Sequence, residues 1–504
     1  MRTIIEKMDE NRIEEYVIAR AGEILKQGGL VAFPTETVYG LGANALDEKA
    51  AERTYAAKGR PSDNPLIVHI ADADALEAIV KNVPEKAYAV IEKFWPGPLT
   101  LIFEKDDKVP YGTTGGLDTV AVRMPVNEIA RQLIRAGGGY VSAPSANTSG
   151  RPSPTSAQHV AEDLEGKIEM ILDGGSVDIG VESTILDMTV EPPMILRPGA
   201  ITKEMLEEAI GEITIDRALL DDNGDQAPKA PGMKYRHYAP KAQLILVEGE
   251  PEEAVKAIRQ IAYEQTRLGY QVGIIATNET ADSYTTGIVK NIGTRNSEKS
   301  IAKNLYRILR EFDEEEVSYI YSESFGKDGL GDAIMNRLEK AAGHHTIEAK
   351  DITRLQKYRR ILFVSGSDSC RGPMAAELLL HEKLTKEYKI GSRGLVVLFP
   401  EPANPKAEAI MRSQQMTLEK HEATQLTEED LDEDTLILTM EDSYKWKIVS
   451  DYENVKNVYN LGEFVDDERE VSSAHGQPLV SYGENFELLK ELIEKLARKL
   501  NEEE

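Results

Sequence analysis

Segments with helical apolar spacing alternate with short apolar runs along most of this chain of 504 residues, and this alternation constrains the fold most. The first pair is a helical pattern at 14–27, which two glycines end, and an apolar run at 30–33, which predicts a buried strand. The same alternation continues to about residue 207. In that stretch it predicts helices at 48–57, 84–94 and 127–136 and strands at 66–70, 99–103 and 119–123. The pattern therefore predicts an α/β domain at 1–207.

The alternation weakens after about residue 207 and resumes at 242, and it begins again at 359 after a short charged joint, so we expect three domains. A chain of this length also exceeds what one core usually organises. The predicted parts after the first domain are a connector at 208–241, an α/β domain at 242–345, a short charged joint at 346–358 and a third domain at 359–504. The strands predicted in these parts lie at 243–247, 271–275, 318–321 and 360–364.

Composition limits the compartment and the partners. Cys370 is the only cysteine, which excludes an intrachain disulfide and a multi-thiolate zinc site and indicates a reducing compartment. No apolar run approaches the roughly 20 residues that span a bilayer, and the opening MRTIIEKMDE lacks a signal-peptide pattern. The net charge of -28 opposes broad binding to nucleic acid, so we expect any contact with nucleic acid to be local or made by a partner. We therefore expect a cytoplasmic protein without membrane contact.

Four segments of the first domain carry glycines, hydroxyls and cations where core residues would be expected. They are PTETVYGLG at 34–42, KGRPSDNPL at 58–66, SAPSANTSGRPSPT at 142–155, and GVEST at 180–184 with RPG at 197–199. On an extended backbone Lys58 and Arg60 would point to the same side, where an anion would relieve their repulsion. A solvated basic edge is the alternative. Because the hydroxyl-rich loops also supply donors for phosphate or ribose oxygens, the four segments together predict one anion-binding site.

These segments, with WPGPLT at 95–100, resemble the YrdC-like threonylcarbamoyl-AMP synthases in both motif and order. PGMKYRHYAP at 231–240 and the stretch that ends GLGDAIMNRLEKAAG at 343 are similar to the linker and C-terminal domain of the two-domain members. The resemblance covers residues 10–345. It implies a twisted α/β sheet with a concave basic cavity, a smaller α/β second domain, and the activity of an L-threonylcarbamoyladenylate synthase, a nucleotidyltransferase.

The resemblance also implies roles for individual residues. Those that match nucleotide-binding positions of the family are Lys58, Arg60, Ser62, Thr119, Ser145, Asn147, Ser153, Arg197 and Tyr238. Those that match positions around the threonine are Thr35, His69, Arg123, Ala143 and Ser183. A guanidinium such as that of Arg123 suits bidentate binding of the threonine carboxylate. His69 has an alternative interpretation as a packed structural histidine.

The implied reaction joins three anions. The amine of L-threonine and bicarbonate form a carbamate, whose oxygen attacks the α-phosphorus of ATP and expels pyrophosphate. Such a reaction needs positioning and electrostatic stabilisation, so we assign no general base, and we expect Mg²⁺ to accompany ATP. The product would pass to a tRNA-modifying threonylcarbamoyl transferase. An RNA-binding module is one alternative, and the acidic balance and the lack of interleaved basic and aromatic residues count against it. Carbamoyl transfer within a larger maturation enzyme is another, but the finger-like and acyltransfer segments that it would need are absent from the sequence.

The end of the connector contains more aromatic and charged residues than a flexible spacer needs. It places two tyrosines, a histidine and two cations between prolines. We expect 228–240 to act as a lid over the nucleotide, with a hydroxyl from Tyr238 and a charge from Lys234 or Arg236. A packed connector is the alternative.

The third domain opens with the pattern strand, tight loop and helix at 360–377, which is typical of an anion cradle. It resembles the low-molecular-weight protein-tyrosine-phosphatase family, including its protein-arginine-phosphatase branch, which implies a doubly wound parallel sheet. The nucleophilic cysteine of that family opens a C-x5-R loop. Here Ser365 holds that position, six residues before Arg371, and Cys370 matches the second, non-nucleophilic cysteine. Serine lacks a comparable route to ionisation.

Further departures point the same way. Asp368 replaces the loop asparagine, and Gly372 replaces the serine after the arginine. The general-acid position of the family aligns best with Gln477, although Asp466 and Asp467 lie in the same long loop. We expect a catalytically inactive domain that binds a protein partner or an anion. An active protein phosphatase and an engineered cysteine-to-serine change are the alternatives.

Overall fold

The chain forms two compact units, Met1–Ile347 and Glu348–Glu504. The computed structural model describes residues 2–216, 238–350, 352, 358–432, 434–452, 455, 457–467 and 469–501. We call residues 2–216 the first lobe and 238–347 the second lobe of the first unit. Most of the predicted connector, 217–237, lies outside the described residues, and with it Lys234 and Arg236 of the predicted lid.

An eleven-stranded sheet organises the first lobe. Its strands are β1 (Ile4–Lys7), β2 (Val31–Phe33), β3 (Gly40–Asn44), β4 (Ile67–His69), β5 (Leu99–Glu104), β6 (Thr119–Arg123), β7 (Val141–Ser142), β8 (Met170–Asp173), β9 (Thr184–Asp187), β10 (Met194–Arg197) and β11 (Thr214–Ile215). Their spatial order is β1-β8-β2-β3-β7-β4-β6-β5-β9-β10-β11. The helices are α1 (Glu15–Lys26), α2 (Glu48–Lys58), α3 (Glu85–Phe94), α4 (Tyr111–Thr114), α5 (Glu128–Ala136), α6 (Ala157–Leu164) and α7 (Lys203–Ile210), with a 3-10 helix at Ala73–Ala78.

Local sequence sets the ends of the helix that leads into the site. The side chain of Asp47 accepts a hydrogen bond from the backbone N–H of Lys49 and begins α2. Gly59 has a φ of 61°, a left-handed conformation that glycine adopts without strain, and it ends α2 directly after Lys58. Lys58 is therefore the last helical residue, and the extended backbone that we predicted for it is wrong.

A five-stranded sheet organises the second lobe. Its strands are β12 (Gln243–Glu248), β13 (Val272–Ala276), β14 (Ile288–Asn291), β15 (Tyr319–Glu323) and β16 (Thr346–Glu348), in the spatial order β14-β13-β15-β12-β16. The helices are α8 (Pro251–Arg267), α9 (Glu298–Glu314) and α10 (Leu330–Ala342), with a 3-10 helix at Ala281–Ser283. The pairs β12 with β15, β15 with β13 and β13 with β14 are parallel.

The two lobes share buried contacts. One hydrophobic cluster contains residues of α9 and α10 together with Val38 and Val181 of the first lobe. Arg310 of α9 is 3% exposed and donates to both carboxylate oxygens of Asp163, at 3.2 and 2.9 Å, and to the carbonyl of Pro152 at 2.6 Å. A buried guanidinium needs such partners. The hydrogen bond to Pro152 connects α9 to the hydroxyl-rich loop at 142–155.

The C-terminal unit is a separate parallel α/β structure. Its strands are β17 (Arg360–Ser365), β18 (Lys389–Gly394), β19 (Thr435–Thr439) and β20 (Val458–Asn460), all paired in parallel in the order β18-β17-β19-β20. The helices are α11 (Arg371–Leu380), α12 (Pro405–Ser413), α13 (Asp442–Asp451), α14 (Leu461–Phe464) and α15 (Leu479–Asn501), with a 3-10 helix at Glu428–Asp430. The apolar face of α15, including Phe486 and Leu489, is buried in the same cluster as Met374 of α11.

The α/β fold class predicted for all three sheets is confirmed. The predicted strands at 119–123, 243–247 and 360–364 coincide with β6, β12 and β17 to within one residue. Among the described residues no helix is both long enough and apolar enough to cross a membrane.

Candidate active site

A pocket in the first unit gathers the polar segments that the sequence singled out. It lies where β4, β6 and β10 end, beside the loops that carry the motifs. The lining residues are Val38, Lys58, Arg60, Ile67, His69, Arg123, Ala143, Pro144, Ser145, Asn147, Ser149, Gly150, Arg151, Ser153, Glu182, Ser183, Arg197 and Tyr238. Among these described residues five side chains are cationic and one is a carboxylate, although the whole chain has a net charge of -28. The side chains that line the pocket therefore carry a net positive charge, in a protein whose overall charge is negative.

Lys58, which is buried, and Arg60, which is partly buried, both lie against neutral oxygen atoms. The Nζ of Lys58, a residue only 1% exposed, donates to the carbonyls of Ser145 and Asn147, both at 2.5 Å. Arg60 donates to the carbonyl of Asn64 at 3.2 Å and to its side-chain oxygen at 2.6 Å. Burial, and then the proximity of Arg60, lowers the pKa of Lys58 well below its usual range. Burial also lowers the pKa of Arg60 to about 10. An anion in the pocket would relieve both effects.

Arg123 lies at the end of β6 and retains hydrogen-bonding capacity. Its Nη1 donates to the hydroxyl of Thr37 at 2.9 Å. Its Nη2 lies 2.7 Å from Oε1 of Glu36, but outside hydrogen-bond geometry, so this oxygen and the Nε and Nη2 of Arg123 have no hydrogen-bond partner. Because Arg123 is only 4% exposed, these unpaired N–H groups are costly unless a ligand accepts from them.

His69 lies beside Arg123 as a neutral imidazole. Its Nδ1 is 3.1 Å from the carbonyl of Ile67, which can only accept, so the proton resides on Nδ1 and Nε2 is an acceptor. Burial and the charge of Arg123 lower the pKa of His69 to about 3. The side chain therefore offers one hydrogen-bond acceptor at physiological pH.

Arg197 and Tyr238 close the opposite side. Arg197, at the end of β10, donates from Nε to the carbonyl of Ser183 at 3.1 Å and from Nη2 to its hydroxyl at 3.2 Å. Tyr238 is 5% exposed and has a φ of 65°, which is rare for a bulky residue and requires support from its surroundings. Its ring centre lies 5.2 Å from that of Tyr306 in α9.

The structure brings most of the predicted site residues together. Eleven of the fourteen line the pocket, and Thr35, Ser62 and Thr119 do not. The hydroxyl of Thr35 donates to the carbonyl of Val38 at 2.7 Å instead. We did not predict Glu182 and Arg151 as site residues, although both lie inside motifs that the sequence analysis quoted.

A second pocket, of about 300 Å³, lies in the C-terminal unit at the loop between β17 and α11. It is lined by Ser365, Gly366, Ser367, Ser369, Cys370, Arg371, Tyr444, Ser473, Ala474, His475 and Tyr482. No carboxylate is among these described lining residues, and Asp466, Asp467 and Gln477 do not line it. The part of the long loop that faces the pocket is 473–475.

Charged and buried groups hold the loop between β17 and α11 in place. Arg371 donates to the carboxylate of Glu441, to the carbonyl of Val471 at 2.5 Å, and to the hydroxyl of Tyr444 at 3.0 Å. Asp368 is fully buried at a φ of 55°, a conformation that aspartate tolerates. Burial raises the pKa of Cys370 to about 11, so the thiol stays protonated at neutral pH.

Family models match the chain in three consecutive stretches. A model described as telomere recombination matches 23–199, that of the threonylcarbamoyl-AMP synthase C-terminal domain matches 201–343, and that of the low molecular weight phosphotyrosine protein phosphatase matches 360–504. The three models follow one another along the chain.

The known proteins that match the first two of these stretches do so over almost the whole length of the known protein. The threonylcarbamoyl-AMP synthase of Pyrococcus abyssi is 51% identical over 346 residues, which are 69% of this chain and 99% of the relative. That of Bacillus subtilis is 50% identical over 347 residues, again 69% and 99%. The crystal structure of Pyrococcus abyssi Sua5 complexed with L-threonine is similar with a TM-score of 0.66 and 50% identity, covering 69% of this chain and 99% of that one. The chain belongs to the threonylcarbamoyl-AMP synthase family, is an enzyme of the nucleotidyltransferase type, and carries a low-molecular-weight-phosphatase-like domain at its C-terminal end.

Proposed function

We propose that the first unit makes threonylcarbamoyl-AMP and pyrophosphate from L-threonine, bicarbonate and ATP, for the threonylcarbamoyladenosine modification of tRNA. The observation that carries this proposal is the pocket with five cationic side chains and one carboxylate among its described lining residues. Three of these cations, Lys58, Arg123 and Arg197, are buried. A buried cation is stabilised by an anion, and the three substrates bring a triphosphate, a carboxylate and bicarbonate. The crystal structure of the Pyrococcus abyssi relative with L-threonine supports the amino-acid substrate.

Threonine fits the side of the pocket that Arg123 and His69 form. The Nε and Nη2 of Arg123, which have no hydrogen-bond partner, are adjacent donors that match the two oxygens of a carboxylate, and Nη2 also forms an ion pair with Glu36 at 2.7 Å. The neutral Nε2 of His69 would accept from the threonine hydroxyl. Ala143 and Ser183 line the same pocket and would border the amino acid. Glu36 would hold the guanidinium of Arg123 from behind.

The nucleotide fits the side that Lys58, Arg60 and Arg197 form. Lys58 and Arg60 would hold phosphate oxygens, because each is a cation that lines the pocket and lies against neutral oxygen atoms. Among the described residues no group of three or more His, Cys, Asp or Glu side chains is arranged to hold a metal ion. Mg²⁺ would therefore be bound chiefly through the phosphates of ATP, where it would neutralise charge.

These contacts would act by position rather than by acid–base chemistry. Arg123 and His69 would orient the threonine so that its carbamate oxygen faces the α-phosphorus. Lys58, Arg60 and Arg197 would stabilise the charge that develops as pyrophosphate leaves. The depressed pKa values of Lys58 and Arg60 indicate that their surroundings are desolvated, where such electrostatic contacts are strong.

Pyrophosphate release by the full chain tests this proposal. We expect release only when ATP, L-threonine and bicarbonate are all present, with the nucleotide product carrying the threonylcarbamoyl group. Release that does not depend on threonine or on bicarbonate would refute the proposed function. Serine in place of threonine serves as a control for the amino-acid pocket.

We also propose that the C-terminal unit does not hydrolyse phosphotyrosine or phosphoarginine and instead binds an anion or a protein partner weakly. Ser365 stands where the family has its nucleophilic cysteine, it makes no side-chain hydrogen bond to His475, the imidazole that lines the same pocket, among the described contacts, and the pKa of Cys370 is raised rather than lowered. The pocket also lacks a carboxylate among its described lining residues, so no side chain there matches the usual carboxylic acid that protonates the leaving group. Ser473 faces the pocket from the long loop in which the family carries that acid.

The assay compares the full chain with two restored variants on both phosphorylated substrates. We expect no turnover by the unaltered chain, little by Ser365→Cys, and appreciable turnover by Ser365→Cys combined with Ser473→Asp. Hydrolysis by the unaltered chain that disappears in Arg371→Met would refute the inactive interpretation. Equal rescue by Ser365→Cys alone would show that the acid lies elsewhere.

A further inference from the structure

The single carboxylate of the pocket is held mainly by the second lobe. Glu182 is 7% exposed, and its Oε2 accepts from the hydroxyl of Tyr306 at 2.8 Å and from the Nε of Arg337 at 3.0 Å. Its Oε1 accepts from the hydroxyl of Ser153 at 2.6 Å. Tyr306 and Arg337 belong to α9 and α10 and are fully buried. Besides Tyr238, which lines the pocket itself, the second lobe is thus connected to the pocket through this glutamate.

Arg337 also contacts two other parts of the pocket wall. Its Nη1 donates to the carbonyl of Pro198 at 2.9 Å, in the loop that follows Arg197. Its guanidinium lies 5.9 Å from the ring centre of Tyr238, the residue with the left-handed backbone. One buried side chain of the second lobe therefore supports Glu182, the loop at 197–199 and Tyr238 together.

The charge of Glu182 determines what Ser153 can offer a ligand. Burial alone would raise the pKa of Glu182, but the guanidinium groups of Arg337 and Arg197 lower it to about 2. An ionised carboxylate only accepts hydrogen bonds, so the hydroxyl proton of Ser153 must point at Glu182. The oxygen of Ser153, which lines the pocket, is then left as an acceptor. It fits an N–H or O–H group of a ligand and does not fit a phosphate oxygen.

We propose that Tyr306 and Arg337 are positioning residues for the nucleotide, and that they act by holding Glu182 so that Ser153 accepts from an amine or hydroxyl of the nucleoside. This presupposes the ATP-dependent function proposed above. The donors on a nucleoside are its base amine and its ribose hydroxyls, so the network selects the nucleoside end of ATP rather than its phosphates. Arg123 and His69, at the ends of β6 and β4, share no hydrogen bond with this network.

The second lobe contains a chemically matched control. There the hydroxyl of buried Tyr284 donates to Glu323 at 2.7 Å, and Arg295 pairs with the same carboxylate at 2.6 Å. None of these three residues lines the pocket. Tyr306→Phe and Tyr284→Phe therefore each remove one hydroxyl from a buried glutamate that keeps its arginine, and only the first network touches the pocket.

Steady-state pyrophosphate release by the full chain, with ATP and threonine varied in turn, tests the inference. We expect Tyr306→Phe to raise the KM for ATP roughly five- to tenfold and to leave the KM for threonine within about twofold. The effect on ATP is smaller than that of losing a buried hydrogen bond to a charged group outright, because the nucleotide would meet this bond only through Glu182 and Ser153. Tyr284→Phe should leave both within about twofold. Because Ser153 is the link, Ser153→Ala and Tyr306→Phe should raise the KM for ATP less in combination than the product of their separate effects.

The outcomes distinguish a failure of the proposed function from a failure of the positioning role. If the unaltered chain does not require threonine and bicarbonate, the proposed function fails. If it does, but Tyr306→Phe behaves like Tyr284→Phe, or the effects of Ser153→Ala and Tyr306→Phe multiply, then the positioning role fails alone. Arg337→Met removes the buried ion-pair partner of Glu182 and is expected to destabilise the chain, so the milder tyrosine variants decide the question.

Discussion

Replacing Lys58 with methionine is the sharpest perturbation of the proposed phosphate site. Methionine has nearly the length of lysine but no charge, and Lys58 is buried at the end of α2 with its Nζ directed to the pocket loop at 145–147. Because the side chain is already desolvated before a ligand arrives, a bound phosphate would gain the attraction of the ammonium without a further desolvation cost of the lysine.

The expected magnitude follows from Coulomb attraction. A unit charge about 4 Å from a phosphate oxygen contributes about 4 kcal/mol at an effective dielectric constant of about 20. Relaxation of the pocket and rearrangement of the phosphates would reduce this to roughly 2–4 kcal/mol, which corresponds to a loss of about 30- to 1,000-fold in kcat/KM for ATP. The KM for threonine should change little, since Arg123 and His69 are intact.

The assay is pyrophosphate release at varied ATP, with thermal unfolding as a check of folding. Lys105→Met is the matched control, because Lys105 is also buried, at 4% exposed, and its Nζ donates to the carbonyl of Val109 at 3.1 Å outside the pocket. A folded Lys58→Met variant whose kcat/KM for ATP stays within about threefold of the parent would refute the assignment of Lys58 to the phosphates.

Three further predictions concern single side chains. Arg123→Lys should raise the KM for threonine about 10- to 100-fold and leave that for ATP nearly unchanged in initial-rate measurements, because a lysine cannot form the bidentate contact. His69 has a folded pKa of about 3 against 6.5 in the unfolded chain, so the folded form resists protonation and stability is lost as the pH falls from 6.5 towards 3. At pH 5 this amounts to about 2 kcal/mol, and urea unfolding of His69→Gln should show a smaller pH dependence. Cys370 should react with iodoacetamide at pH 8 about a hundredfold more slowly than an ordinary thiol, since its pKa is raised from 9.0 to about 11.

Periodicity predicted the strands that are long and apolar better than the others. The strands β6, β12 and β17 have five or six residues each and contain three or four consecutive apolar residues, so their position could be read from the sequence. β7 and β11 have two residues each, too few for any period. Their place in the sheet comes from pairing with distant strands, as β7 does with β3 and β4, which no local pattern encodes.

The candidate site was predictable where motifs carry the chemistry and not where it depends on packing. Lys58, Arg123 and Arg197 stand in quoted motifs, and the structure brings them to one pocket. Glu182 was also in a motif, but its importance comes from Arg337, which is 155 residues away in sequence. Nothing local to position 337 shows that its charge would be buried between two lobes.

The two pockets differ in whether the cations proposed to hold phosphate already contact a carboxylate, and this difference predicts their affinity for phosphate. In the first unit Lys58 and Arg60 lie against neutral oxygens, so an incoming phosphate supplies charge that the protein lacks. In the C-terminal unit Arg371 is already paired with Glu441. A phosphate bound to Arg371 would therefore be repelled by the negative charge of this carboxylate. Anion binding there should therefore be weak.

Removing that carboxylate tests the idea directly. We expect Glu441→Gln to bind inorganic phosphate at least several-fold more tightly than the parent chain, because the charge of Arg371 is released while a hydrogen-bonding oxygen remains. Hydrogen–deuterium exchange of the segment 365–371 during a phosphate titration reports this unit separately from the first. Glu422→Gln, an exposed carboxylate of the same unit, controls for the change in net charge. Equal phosphate affinity in Glu441→Gln and the parent would show that Glu441 orients Arg371 for the anion rather than competing with it, since loss of competition must strengthen binding.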